Sequence, residues 1–391
     1  MSDIVIVGAK RTAIGSFNGV FADVASPDLG ATAIKAALDQ SGVAAADVSE
    51  VIMGCVLPAG VGQAPARQAA LKAGVPVGTG CTTINKVCGS GMKATMLAHD
   101  ILKAGSADIV VAGGLESMTR APYLLGKARF GYRFGHSEVL DHMALDGLQN
   151  AADRKAMGEF AELCASKYTF TREEQDAYSA ESVRRALAAQ ADGKFAAEIA
   201  PVTVAGRKGD VVISSDEEPP ACDIGKIGSL RPAFKKDGTV TAASSSKISD
   251  GAAALVVTRS EVASAKGLTP LARIVAHATH AQEPEWFTTA PVGAIQKVLA
   301  KAGWAVGDVD LFEINEAFAV VAMAPIRELG IDHAKVNVNG GACALGHPIG
   351  ASGARLIVTL IHALKDRGGK RGIASLCIGG GEATAIAIEV L

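Results

Sequence analysis

Cys88 stands in the stretch Asn85-Lys86-Val87-Cys88-Gly89-Ser90-Gly91-Met92-Lys93. A short β-prone run, Cys81 to Ile84, precedes it, and Met96, Leu97, Ile101 and Leu102 follow at helical spacing. The spacing predicts a strand-to-helix turn at Cys88, with Gly89 and Gly91 permitting a tight bend and close approach by another group. A thiol there faces unpaired N–H groups and the positive end of a helix dipole, which favour thiolate and suit attack by sulfur. The alternative is that Cys88 is a small buried hydrophobe. Two later stretches favour the chemical reading. His347 lies in a glycine-dense loop, Asn337 to Gly353, ahead of a helix, where an imidazole and backbone N–H groups can converge on one small ligand. Cys377 ends a strand and meets Gly379, Gly380 and Gly381, which let a substrate approach the backbone.

Asn315 belongs to Glu313-Ile314-Asn315-Glu316-Ala317-Phe318, after a strand-like run from Val309. No G-x-x-x-x-G-K-[ST] occurs, and no G-x-G-x-x-G sits between a strand and a helix, which sets aside NTP hydrolysis and nicotinamide chemistry.

The elements that must position these residues are legible along the chain. Its 391 residues exceed one ordinary core and predict two or three domains. Ile4 to Val7 reads as a strand buried on both faces, Leu29 to Gln40 as a helix, and Val51 to Met53 as the next strand. This alternation, up to Ile109–Gly114, predicts βα units and a parallel or mixed sheet covered by helices. Ile34, Leu38, Gly42, Asp47 and Val48 recur 261 residues on as Ile295, Leu299, Gly303, Asp308 and Val309. Ser90, Gly91, Leu102 and Lys103 recur 262 residues on as Ser352, Gly353, Leu364 and Lys365. We read two similar halves about a pseudo-two-fold axis, with the helices after Cys88 and His347 as central counterparts. Between the halves, Thr119 to Ser249 breaks the pattern and includes a charged helix from Arg172 to Ala189. Such an insertion is either a lid or ligand-binding region or a solvated excursion. Arg207 and Lys208 fit a solvated face better than a phosphate clamp.

A net charge of −2 offers nothing to attract nucleic acid or an acidic membrane. Seven cysteines, odd in number and without a C-x-x-C pair, argue against a disulfide framework or thiolate zinc site and for a reducing compartment. The first residues, Met1 to Gly8, read as a strand rather than a leader, and no apolar run is long enough to span a bilayer. A cytoplasmic protein is expected.

Taken together, Val87-Cys88-Gly89-Ser90-Gly91, Gly113 to Met118, Asn315-Glu316-Ala317-Phe318, Gly346-His347-Pro348-Ile349-Gly350 and Cys377 to Gly381 resemble the thiolase family, on its acetyl-CoA acetyltransferase branch. The five motifs stand in the family's order over essentially the whole chain. The resemblance implies an α/β protein with the five-layered thiolase-like fold of two similar βαβ halves and an inserted loop domain. The expected boundaries are 1–118 plus 250–270 for the N-terminal half, 119–249 for the insertion, and 271–391 for the C-terminal half. It implies reversible Claisen condensation of two acetyl-CoA to acetoacetyl-CoA plus CoA through an acyl-Cys88 intermediate. Such transfer needs a sulfur nucleophile, a base and an oxyanion hole. Carried over residue by residue, His347 activates Cys88, and Cys377 removes the α-proton of the second acetyl-CoA. The Cys88 and Gly379 N–H groups form one oxyanion hole; His347 and a water positioned by Asn315 form the other. Leu148, Met157, Phe234, Ala242, Ser246, Ile248, Ala317 and Phe318 would contact coenzyme A. The resemblance further implies acyl-CoA substrates, no separate cofactor or metal, no nucleic-acid or membrane partner, and a homodimer or homotetramer.

The chain departs from the family pattern at Ala156, where a histidine is usual, at Ser244, where asparagine is usual, and at Pro219-Pro220, where an arginine often meets the adenine end. Ala156 and the Trp286-Phe287 pair suggest a reshaped acyl pocket. The alternatives are a broader-range degradative 3-ketoacyl-CoA thiolase, a decarboxylating ketosynthase, which usually works with one catalytic cysteine, and a non-catalytic acyl-CoA carrier, which would not need Cys88, His347 and Cys377.

Overall fold

The apolar run at Ile4 begins the strand Ile4–Thr12, which lies mid-sheet and is covered on both faces. The computed structural model describes residues 2–207 and 209–391; Met1 and Lys208 of the sequence reading lie outside the described residues. From edge to edge the main sheet path runs Leu311–Ile314, Arg371–Ile378, Glu382–Val390, Ala272–Ala281, Ile4–Thr12, Ser249–Arg259, Ile109–Ser117, Glu50–Gly54 and Gly80–Ile84. Read outward from the centre, each half places its first strand innermost, then its last, its next-to-last and its second. The halves join where Ile4, Val5 and Ile6 pair antiparallel with Ile274, Arg273 and Ala272.

The repeated residues do the same conformational work twice. Gly42 and Gly303 end the helices Ser26–Ser41 and Ala290–Ala302 in the left-handed region, at φ 72° and 68°. Asp47 and Asp308 close the short turns Ala45–Asp47 and Val306–Asp308.

Three apolar clusters make the layers. Val5, Val7 and Val51 face the helix Ser26–Ser41 on the outer side of the first half. Ile4, Ile6 and Ile52 face inward, onto the helices Ser90–Lys103 and Ile349–Arg367, which also meet Leu376 and Ile386 of the second half. Phe312, Ile314 and Ile373 face the outer helices Ala290–Ala302 and Ala319–Leu329. The succession is helix, sheet, helix, sheet, helix.

The two central helices cross at the repeated glycines. A Cβ on Gly91 would lie 2.8 Å from Ala354 N, and one on Gly353 would collide with Met92 N. Only glycine at both positions allows this approach, which sets the N-termini of the two helices beside one another. The insertion predicted as one block contains the helices Met157–Tyr168 and Arg172–Ala191. It is tied to the first strand by a buried bidentate pair, Arg11 Nη1 and Nη2 to Asp216 at 2.7 and 2.9 Å. Arg207 is exposed, as a solvated face requires.

Candidate active site

The turn at Cys88 is wired by side chains. Val87 takes φ 45°, unusual and strained for a β-branched residue. Asn85 Oδ1 accepts from Val87 N at 2.8 Å, and Ser90 Oγ accepts from Lys86 N at 2.8 Å while donating to Val87 O at 2.7 Å. The helix Ser90–Lys103 then starts immediately after the turn. The N–H groups of Gly379 and of Cys88 itself donate toward the Cys88 sulfur. Even so, burial pushes the thiol up to about 11, outweighing those donors. The expected resting thiolate is therefore corrected: the helix terminus sits in an apolar wall of Val87, Leu148 and Ile248. Cys88 is a protonated thiol that needs a base.

His347 is buried, and its ring is held from three sides. Its backbone N–H donates to Lys247 O at 3.0 Å, and its Nδ1 lies 2.6 Å from Ser352 Oγ. The single Ser352 hydroxyl proton goes to Pro348 O at 2.9 Å, so Oγ accepts from His347 Nδ1–H and Nε2 carries the lone pair, toward which Asn315 Nδ2 can donate. Burial, and then the Arg355 charge, push His347 down to about 3, which keeps the imidazole neutral. Asn315 Nδ2 lies 3.4 Å from Nε2 and 3.5 Å from Nδ1, while its Oδ1 lies 3.5 Å from Arg355 Nη2. Arg355 in turn meets Glu313 at 3.3 Å, forming a buried chain that ends on the imidazole.

Cys377 is fully buried at the end of the strand Arg371–Ile378. Burial raises its thiol well above the usual range, and negative charge on Cys88 raises it further, so the two sulfurs sense each other. It packs with Met157, Phe287, Ala317 and Phe318. Lys86, beside the nucleophile, pairs with Glu382, just past the glycine run, and this cross-link ties the two loops.

A cavity of about 310 Å³ lies beside these groups, walled by residues that share clusters with Cys88 and Cys377. Leu148, Met157, Phe234, Ser246, Ile248, Ala317 and Phe318 line it, as does His347. Ala242 does not. It is exposed and faces a neighbouring cavity of about 190 Å³, because the chain turns at Thr241, whose N–H donates to Ser244 Oγ at 2.8 Å. Ser246 N to Ala317 O at 2.9 Å and Ala319 N to Ser244 O at 2.8 Å join the insertion to the Asn315 motif as one wall. Ala156 lines the cavity, but Trp286 turns away under Lys167, so only Phe287 of the predicted pair reaches the Cys377 surroundings.

Sequence reasoning passed over Ser352, Lys247, Glu116 and Glu316. Glu116 accepts from Val56, Leu57 and Gly350 N–H at 2.9 to 3.2 Å, and Glu316 accepts from Tyr178, Ser182, Asn337 and Cys343 at 2.7 to 3.0 Å. Both sit inside quoted motifs, Gly113 to Met118 and Asn315 to Phe318, and that was the available signal.

Comparison with known proteins followed the same lines. The family described as Thiolase, N-terminal domain matches residues 4–261, and Thiolase, C-terminal domain matches residues 268–390. The chain is 54% identical over 389 residues to acetyl-CoA acetyltransferase of Chromobacterium violaceum, covering 99% of each. It is 52% identical to acetyl-CoA acetyltransferase of Escherichia coli, covering 100% of each. The crystal structure of the Bacillus anthracis acetyl-CoA acetyltransferase superposes with a TM-score of 0.98 at 43% identity, over 100% of this chain and 99% of that one. The thiolase Acat5 from Ascaris suum, solved in complex with coenzyme A, superposes at 0.95 with 43% identity, over 100% of each.

Proposed function

The chain belongs to the thiolase family, and from that premise we propose how its residues divide the work of an acetyl-CoA acetyltransferase. The reaction is the reversible condensation of two acetyl-CoA to acetoacetyl-CoA and CoA. What carries the reading is a neutral imidazole on the wall of an apolar cavity whose other walls, Leu148 and Ile248 on one side and Met157 and Phe318 on another, belong to the clusters that hold Cys88 and Cys377.

In the first half-reaction Cys88 attacks the thioester carbonyl while His347 Nε2 takes the thiol proton. The tetrahedral oxyanion is held by the N–H groups of Cys88 and Gly379. The C–S bond to CoA breaks, the proton passes to the departing sulfur, and acetyl-Cys88 remains. In the second, Cys377 gives its thiol proton to His347 Nε2 and, as the thiolate, removes a methyl proton from a new acetyl-CoA, whose enolate oxygen accepts from the His347 Nε2–H so formed, with the Asn315 group nearby. The carbanion attacks acetyl-Cys88, the S–C bond breaks, and His347 returns its proton to the Cys88 sulfur while Cys377 keeps the methyl proton. No resident cofactor enters this scheme; the CoA thioesters are substrates. Leu148, Met157, Phe234, Ser246, Ile248, Ala317 and Phe318 hold pantetheine, and Ala242 acts one step removed.

The pH dependence follows from the two shifts. His347 is a free base above about pH 3 and Cys88 keeps its proton below about pH 11, so both partners are in the required form across the whole neutral range. The rate of the CoA burst should be flat from about pH 5 to about pH 9 by stopped-flow. A sigmoid centred near the ordinary imidazole value would show that His347 titrates in the resting enzyme.

Thiolysis of 3-ketoacyl-CoAs of increasing length, with 2-methylacetoacetyl-CoA included, tests the substrate reading. The small Ala156 on the cavity wall and Phe287 beside Cys377 support cleavage of acetoacetyl-CoA and of its 2-methyl derivative. A clear preference for long chains would favour the broad-range degradative alternative, and activity confined to acetoacetyl-CoA would defeat the branched-substrate inference.

Seven free thiols support a cytoplasmic setting, and short-chain CoA chemistry supports a place in fatty acid metabolism. Among the described residues no helix is long and apolar enough to cross a membrane. Exposed Tyr123, Leu125, Phe130 and Phe134, with the strand Gly80–Ile84 at a sheet edge, support a homodimer or homotetramer.

A further inference from the structure

Far along the helix that starts at Cys88, three donor atoms converge. His99 Nδ1 lies 2.9 Å from Asp100 Oδ1. His277 Nε2, from the innermost strand of the second half, lies 2.9 Å from the same oxygen and 3.2 Å from His99 Nδ1. The two rings stand nearly perpendicular, at 84°, so their nitrogens meet edge to edge. One carboxylate oxygen has lone pairs for both rings, so each ring can donate to Asp100 Oδ1, and the 3.2 Å approach of the two ring nitrogens is then left with no proton between them. Donors on an ion with bonds of about 2.0–2.1 Å stand roughly 3 Å apart, which matches all three separations.

We infer that His99 Nδ1, Asp100 Oδ1 and His277 Nε2 form a binding site for a divalent transition ion of the zinc class. Two imidazoles and one carboxylate suit zinc, cobalt or nickel rather than calcium or magnesium. Asp100 is about half exposed, so water completes the coordination from the solvent side. Both rings are mostly shielded from solvent. Lys301 is engaged with the His277 carbonyl at 3.0 Å.

The site lies nine residues beyond Ser90, or about 14 Å along the helix, so a bound ion stays away from the reacting sulfur. Its effect is mechanical. It clamps the nucleophile helix of one half to the first strand, Ala272–Ala281, of the other.

Cobalt reports such a site directly. The full-length protein, stripped with a chelator, is titrated with Co²⁺ and followed in the visible range. The expected result is d–d bands saturating at one equivalent per chain, without the near-ultraviolet charge-transfer band of a cobalt–thiolate bond, and bleached by Zn²⁺. Zn²⁺ should also raise the melting temperature. His277→Ala should weaken binding by at least about 100-fold and abolish the melting shift. Asp100→Asn, at an exposed position that tolerates the change, should do the same with an unchanged far-ultraviolet spectrum. The assignment is overturned if no band forms at one equivalent, if a thiolate band accompanies it, or if both variants bind as the parent does.

Discussion

Cys377→Ala is expected to take one acetyl group from acetyl-CoA and go no further. Its Cys88, its His347 and the Cys88 and Gly379 N–H groups are untouched, so a burst of about one equivalent of CoA should appear on mixing. Condensation should fall by at least ~10²–10⁴-fold, the usual contribution of a positioned base, and exchange of acetyl-CoA methyl protons with D₂O should fall with it. Cys88→Ala should lack the burst altogether. The cavity left at Cys377 is small, and the strand carrying it is paired on both sides, so the variant should fold normally. Near-normal condensation and proton exchange in Cys377→Ala would make that sulfur structural. It would then reopen the ketosynthase alternative, in which one cysteine suffices.

The second large effect is on stability. Arg11, Glu198 and Asp216 are almost completely buried: Arg11 Nε reaches Glu198 at 2.6 Å, Asp216 takes the other two nitrogens, and Asp216 also accepts from Ile14 N at 2.8 Å. The two carboxylates raise the arginine above even its usual value, so its charge persists. Asp216→Ala strands part of that charge and orphans the Ile14 amide. Breaking a buried pair from one side costs about 3–5 kcal/mol, far above the ~0–1 kcal/mol of an exposed pair such as Lys35–Asp39. Asp216→Asn keeps acceptors without the charge and should lose less. Urea unfolding measures both, and a loss below about 1 kcal/mol for Asp216→Ala would show that Glu198 alone satisfies Arg11.

Both effects depend on how far local information reaches. The turn at Cys88, the helices behind Cys88 and His347, and the duplicated halves were legible because they rest on periodicity and on residues with local conformational duties. Gly42 and Gly303 occupy left-handed positions, and Gly91 and Gly353 permit the helix crossing, so similar sequence marks similar backbone. The order of five motifs was enough to indicate thioester chemistry. Proton inventories were not legible. A helix N-terminus is a local feature that promised a thiolate, but burial is decided by side chains such as Leu148 and Ile248, 60 and 160 positions away, and it keeps Cys88 protonated. Likewise which ring nitrogen of His347 carries the lone pair depends on which acceptor takes the Ser352 proton. Ala242 fell outside the cavity because one hydrogen-bonded turn redirected it. His277 stands 177 residues from Asp100, and only the packing of one half on the other brings them together. Spacing along a chain determines backbone direction over a few residues; desolvation and encounters between distant side chains exist only once the layers have closed.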